Sequence, residues 1–169
     1  MKIAIGSDHC GVELKAALAK ALGNEATVLD KGPADGASCD YTDYAIAVAK
    51  AVASGEAEFG ILICKTGIGM SMAANRFQNV RAALCATVEA AKLTRQHNGA
   101  NVLCLGASVV GADLALEIAK TFVSTTVDPS ERHQRRRWKI ERAQRLSDCS
   151  GLMRDDPEVF AAIEAQTKQ

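Results

Sequence analysis

Aromatic side chains are scarce in this chain: Phe, Trp and Tyr together make up 4% of its 169 residues, so the interior has to be packed from aliphatic groups. Proline occurs only three times, which excludes a collagen-like or proline-rich design. No apolar run approaches the roughly 18 residues that a membrane helix needs. The start, Met1 to Asp8, meets charge before the apolar centre of a signal peptide could form. Net charge is missing as well: 20 Lys and Arg balance 20 Asp and Glu. No overall field draws the protein to nucleic acid or an anionic membrane, and any bound anion has to be gripped locally. The cysteines Cys10, Cys39, Cys64, Cys85, Cys104 and Cys149 form no CxxC pair and keep no regular spacing, which excludes a zinc knuckle and a disulfide framework. Free thiols point to a reducing compartment, so the expected location is the cytoplasm. What is present, 48% hydrophobic and 24% charged residues with a mean hydropathy of -0.01, describes a soluble globular chain of a length that fits one core.

Short aliphatic runs alternate with stretches of helical period, each alternation marked by glycine or a capping residue. Lys2 to Gly6, Ala26 to Asp30, Phe59 to Cys64, Ala82 to Cys85 and Val102 to Leu105 read as buried strands. Val12 to Leu22, Thr42 to Ser54, Ser71 to Asn75, Val88 to Gln96 and Gly111 to Ser124 read as helices. Such βαβ units force a parallel sheet with helices on both faces. The expected fold is a three-layer Rossmann-like α/β domain with a five-stranded sheet in the order 2-1-3-4-5. After Asp128-Pro129-Ser130 the composition turns basic, and an amphipathic helix is expected to run to Leu146, outside the sheet pattern. Residues 1–148 are assigned to one domain and 149–169 to a helical C-terminal extension, with Pro157 at a helix start and Val159, Phe160 and Ile163 as its apolar stripe.

Open α/β sheets bind ligands beyond the carboxyl ends of their strands, where strand order reverses, here between strands one and three. The loops at that point are Ser7-Asp8-His9-Cys10-Gly11 and Cys64-Lys65-Thr66-Gly67-Ile68-Gly69-Met70-Ser71. Asp8 is either the N-cap of the first helix or, with His9, a carboxylate and imidazole offered to a polar ligand. Gly67 and Gly69 let backbone approach a ligand, and the amides from Gly67 to Ser71 open a helix whose positive end suits an oxyanion or phosphate. The pattern is not a P-loop, since no GxxxxGK precedes a Ser or Thr. Nor is it the dinucleotide fingerprint, which would follow the first strand and place a third glycine at Met72, so no nicotinamide cofactor is expected. Cys64 is either a buried strand-end cysteine, as Cys85 and Cys104 are read, or a thiol with a depressed pKa beside Lys65 that acts as base or nucleophile. His97 lies near the amino ends of the strands, the wrong end for this subunit's own cleft. It is either a surface residue or a group presented to the cleft of a symmetric partner. The segment Arg132 to Arg137 is either a solvated face or a phosphate grip.

Several of these segments recur together elsewhere. Ile5-Gly6-Ser7-Asp8-His9 with Gly11, Asp40-Tyr41, Cys64 to Ser71 with Ala73-Ala74-Asn75, Thr94 to Asn98, and Arg132-His133-Gln134 resemble the B type of ribose-5-phosphate isomerase, in the family that also contains the galactose-6-phosphate isomerase subunits. The resemblance implies an aldose-ketose isomerase of phosphorylated sugars that works through a cis-enediolate without metal or organic cofactor. It also implies a homodimer, or a tetramer built from it, with active sites shared between subunits. By position, Cys64 is then the base that moves a proton between C1 and C2, and Thr66 holds substrate oxygens. The amides of Gly67, Ile68, Gly69, Met70 and Ser71 stabilise the enediolate. His97, from the partner, opens the furanose ring with Asp8 assisting at the anomeric hydroxyl. His9, Arg132 and Arg136 hold the phosphate, and Tyr41 and Asn98 the sugar hydroxyls. Relatives with a glutamate base carry it where Met70 stands, which favours the cysteine version. Lys65 stands where the family usually has glycine, and Ser108 where an arginine or lysine is common.

The expected reaction is interconversion of ribose 5-phosphate and ribulose 5-phosphate, in the pentose phosphate pathway. An isomerase of a four- or six-carbon aldose phosphate, such as allose or galactose 6-phosphate, is the alternative and differs in cleft length rather than in catalytic groups. A non-catalytic sugar-phosphate-binding protein would keep the phosphate grip but would not need Cys64, Thr66 and His97.

Overall fold

A computed structural model describes residues 1–148. The expected extension 149–169, with its Pro157 start, lies outside the described residues. The chain forms β1 (Lys2–Ser7), α1 (Val12–Leu22), β2 (Thr27–Asp30), α2 (Tyr41–Ala53), β3 (Phe59–Cys64), α3 (Ile68–Ala74), β4 (Ala82–Leu84) and α4 (Val88–Leu93). A single π-helical turn, Thr94–Asn98, then leads to β5 (Val102–Gly106), α5 (Ala112–Ser124) and the basic α6 (Glu131–Asp148). Among the described residues no helix is long and apolar enough to cross a membrane.

The five strands pair in parallel in the order β2-β1-β3-β5-β4. This corrects the expected 2-1-3-4-5. The reason lies in length and burial: all six residues of β3 are buried, and such a strand needs a long neighbour on each flank. β1 supplies one, and β5, with five buried residues, supplies the other. β4 has three partly exposed residues and is left at the edge beside β5. There the Asn75 side chain takes the place of a further strand: its Nδ2 donates to the Ala82 carbonyl at 2.9 Å, and its Oδ1 accepts the Ala82 amide at 2.8 Å. Since β1 still lies beside β3, the crevice where strand order reverses is where the alternation of elements predicts it.

Alternate strand residues feed two cores. Ile3, Ile5, Ile61, Ile63, Leu103 and Leu105 pack with Leu18, Ile118 and Phe122 from α1 and α5. Ala4, Leu62, Cys64 and Cys104 pack with Val48, Ala49 and Met70 from α2 and α3. Each fully buried Leu, Ile or Phe contributes about 1.5–3 kcal/mol relative to exposure. Buried Lys15 of α1 ties down the chain after β2: its Nζ donates to both carboxylate oxygens of Asp30, at 2.7 and 2.8 Å, and to the Pro33 carbonyl at 2.7 Å. That chain returns past His9 to the start of α2.

Candidate active site

β1 and β3 end side by side, with Ser7 in register with Ile63. The Asp8 amide donates to the Ile63 carbonyl at 3.0 Å, which sets Asp8 next to the end of β3. Asp8 is buried, and its Oδ1 accepts the Cys10 amide at 2.9 Å, while the N-cap of α1 is Gly11, without a side-chain cap. The carboxylate braces its own turn, so the helix-capping alternative is not realised. His9 is exposed, and its Nδ1 accepts the Cys39 amide at 3.4 Å. Donor atoms of Asp8, His9 and Cys10 lie within 4.8 Å of one another, so a polar ligand here meets carboxylate, imidazole and thiol together.

Cys64 closes β3, 5% exposed, and its Sγ accepts the Gly67 amide at 3.1 Å. This turn requires glycine: Gly67 has a φ of +79°, and a Cβ there would lie 2.9 Å from the Leu105 carbonyl carbon. The Ile68 amide donates to Thr66 Oγ1 at 3.4 Å, and the Ser71 amide to the Gly67 carbonyl at 3.1 Å. Of the amides expected to face a ligand, those of Gly67, Ile68 and Ser71 are thus engaged within the turn. Gly69 and Met70, in the first turn of α3, have no carbonyl four residues back inside the helix and are the pair left for an oxyanion. The Met70 side chain itself is fully buried. Tyr41, at the start of α2, lies against Gly69, where a Cβ would meet its Cζ at 2.6 Å and its Oη at 2.8 Å. Lys65 and Ser108 are both exposed and are joined by the Ser108 amide donating to the Lys65 carbonyl at 3.0 Å. Cys85 and Cys104 are buried among aliphatic groups. Burial pushes the Cys85 thiol up to about 11 and raises that of Cys104 as well, which leaves both inert.

His97, Asn98, Arg132 and Arg136 form a second group, by the amino end of β5. The opposite end of β5 is the one that meets the Cys64 loop, through the Ala107 amide on the Cys64 carbonyl at 2.9 Å. Arg95 fixes the π-helical turn. Buried beneath it, its guanidinium lies 4.7 Å from the Phe59 ring centroid, and its Nε donates to the Thr125 carbonyl at 3.2 Å. The His97 ring stacks on that of His133 in α6, with centroids 4.2 Å apart and planes 4° from parallel. Arg137 Nη1 reaches the His97 carbonyl at 3.4 Å and the Asp128 carbonyl at 3.2 Å, which docks α6 on the turn. Burial, helped by His97 and Arg132, lowers the His133 pKa against the pull of Asp128. Amide and side-chain hydrogen bonds from Ser130 lower that of Asp128. Asn98, Arg132 and Arg136 are exposed.

The family description that matches this chain, over residues 3–140, is Ribose/Galactose Isomerase. The chain belongs to that family. Its activity is therefore that of an isomerase, and two separate groups of side chains have to be understood within one isomerase family. The ribose-5-phosphate isomerase B of Escherichia coli is 45% identical over 136 residues, which cover 80% of this chain and 91% of the relative. The solved ribose-5-phosphate isomerase B of Clostridium thermocellum is 44% identical with a TM-score of 0.84, covering 87% of this chain and 99% of that one. That of Mycoplasma genitalium, solved with bound ribulose-5-phosphate, is 40% identical with a TM-score of 0.81, covering 85% of this chain and 96% of that one.

Three residues of this isomerase acquire roles that reading the sequence did not assign. Cys10 joins Asp8 and His9 only because the turn after β1 folds back on itself. Arg95 looks like one more polar residue in Thr94 to Asn98, and only the Phe59 and Phe122 rings beneath it reveal an anchor. His133 stands between Arg132 and the run Arg135-Arg136-Arg137, where a buried ring is not expected; its place in the motif Arg132-His133-Gln134 was the available signal.

Proposed function

We propose that this chain interconverts ribose 5-phosphate and ribulose 5-phosphate, with residues 1–148 as the catalytic domain and Cys64 as the base. The observation that carries the reading is the Gly67 amide on Cys64 Sγ at 3.1 Å, one turn from the free amides of Gly69 and Met70. A sulfur held by an N–H dipole and an oxyanion site on the same loop are what an enediolate mechanism needs. In the open-chain aldose, the C2 proton passes to Sγ, the C2–H electron pair forms the C1–C2 double bond, and O1 takes the negative charge beside the two amides. Return of the proton to C1, with the O2 proton passing to O1 by way of the Thr66 hydroxyl, gives the ketose. No metal or organic cofactor is called for, because base and oxyanion donors both come from the chain. Tyr41 lies where it can meet a sugar hydroxyl, and His9 where it can meet the phosphate.

His97, Asn98, Arg132 and Arg136 are assigned to the cleft of a second copy, in a homodimer with two shared sites, because they lie at the far end of the sheet from Cys64. Exposed apolar side chains support the pairing: Ile68 and Met72 on α3, Leu84 on β4, Leu93 on α4, and Trp138 and Ile140 on α6. The free thiols of Cys10, Cys39, Cys64, Cys85 and Cys104 support a reducing, cytoplasmic setting.

The test is an assay of the purified protein, in both directions, with ribose 5-phosphate, allose 6-phosphate and galactose 6-phosphate, repeated on Cys64→Ser. Ribose 5-phosphate should have the highest kcat/KM, and Cys64→Ser should keep fold and binding while losing most turnover. A six-carbon preference overturns the substrate, and near-normal kcat in Cys64→Ser removes the cysteine base.

A further inference from the structure

His133 is buried, 2% exposed, yet the proposed reaction gives it no part. Its Nε2 lies 3.1 Å from Arg132 Nη2 and 3.7 Å from a carboxylate oxygen of Asp128. Its Nδ1 is buried without a hydrogen-bond partner. A guanidinium can only donate, so Nε2 accepts from Arg132 and the proton of the neutral ring sits on Nδ1, facing no acceptor. That arrangement is unfavourable for a buried donor, and it lasts only while Arg132 occupies Nε2. A phosphate dianion is a far better acceptor for a guanidinium than an imidazole nitrogen is.

We propose that Arg132 is a two-position lock: on His133 Nε2 in the free protein, and on the sugar's phosphate in the complex, so that phosphate binding frees Nε2 to take a proton and direct it to Asp128. The proposal rests on the reading of Arg132 as a phosphate ligand. The proton comes from solvent, the ring becomes an imidazolium, and Asp128 accepts the new N–H. The groups facing His133 are His97 from the π-helical turn, Asp128 from the segment before α6, and Arg132 and Arg136 from α6. Of these only Asp128 favours the charged ring, and the low pKa of His133 in the free protein agrees with a closed lock. The consequence reaches His97. Its ring stacks on His133 at 4.2 Å, so the charge beside it differs between the free protein and the phosphate complex. An unphosphorylated sugar leaves the lock closed, so only a phosphorylated one changes the charge on the ring stacked against His97.

Full-length protein labelled with 15N-histidine tests this directly, since it has only three histidines, assignable with His9→Asn and His97→Asn variants. Inorganic phosphate alone is the probe. Without it, His133 should titrate below the ordinary histidine value with the proton on Nδ1. Saturating phosphate should raise its midpoint by about one pH unit, a tenfold change in proton affinity. Arg132→Ala should show the raised midpoint with no phosphate added. Arg135→Ala, which removes the same charge from an exposed position beside Glu131, should not. A midpoint indifferent to phosphate, a midpoint still low in Arg132→Ala, or an equal rise in Arg135→Ala overturns the lock. None of these signals reads turnover, so failure of the parent protein to isomerise ribose 5-phosphate would count against the proposed function and leave the lock standing.

Discussion

Replacing Arg95 with methionine tests how the turn that carries His97 is held. The guanidinium lies 4.7 Å from the Phe59 centroid and 5.6 Å from that of Phe122, and donates to the carbonyls of Thr125 and Ala100. Methionine keeps an apolar stem against both rings and removes two charged hydrogen bonds. Each such bond is worth about 1.5–3 kcal/mol. Against that stands relief from burying a cation, the desolvation that already lowers the Arg95 pKa. A net loss of about 2–4 kcal/mol follows, or about 5–15 °C in Tm for a domain of this size. Circular dichroism melts at one fixed protein concentration measure it, because association also moves Tm. Amide exchange locates the damage: the Gly99 and Ala100 amides, which donate to the Arg95 and Thr94 carbonyls, should exchange faster than those of β3. A Tm within about 2 °C of the parent, with unchanged exchange at those amides, would refute the anchoring role.

His97→Ala and Cys64→Ala chains, each inactive alone, should regain activity when mixed, since one site of each heterodimer then keeps both groups; no recovery after verified subunit exchange would mean that the sites are not shared. Lys65→Gly should raise KM for phosphorylated substrates without moving the acidic limb of the kcat/KM profile, the lysine supplying the cation that Ser108 lacks, whereas a shift of that limb would tie Lys65 to the Cys64 thiol instead. Acid should weaken the fold around α6: the pKa values of His133 and Asp128 are both lowered, so each group binds fewer protons folded than unfolded. The stability they contribute is present above the unfolded values, 6.5 and 3.8, and is lost as pH falls below each. The urea midpoint of the parent relative to His133→Asn should therefore shrink from about pH 7.5 to about 5.5, and a growing gap would reverse the sign of the reasoning.

Phe59–Cys64 and Val12–Leu22 coincide with the segments read from hydrophobic pattern, because a fully buried strand and an amphipathic helix each write their period directly into the chain. Neighbour order is a different kind of information. Val102–Gly106 and Ala82–Leu84 are both short aliphatic runs, and what sends one to the centre and the other to the edge is the number of buried residues β3 must match. The stretch Val88 to Gln96 reads as one helix, yet the α-helix ends at Leu93, where Arg95 has to swing beneath the turn toward two rings far away in sequence. The glycines of the Cys64 loop announce a turn that favours anions. Which amides remain free depends on Sγ and Oγ1 acting as acceptors, which spacing alone does not reveal. The two groups of site residues were separable from topology, since His97 precedes a strand and Cys64 ends one.

The side-chain amide of Asn75 gives the outer border of β4 a property beyond local hydrogen bonding. An uncovered border strand is a template on which another chain can crystallise its own backbone, and growth of that sort has no natural end. Asn75 occupies both main-chain groups of Ala82, and a strand of three residues has little template left once one of them is taken. On that side, copies of the chain can recognise each other through side-chain surfaces but not by extending the sheet. Contacts between shaped surfaces stop when the complementary patches are used up, so crowding at high expression should yield counted assemblies rather than fibres.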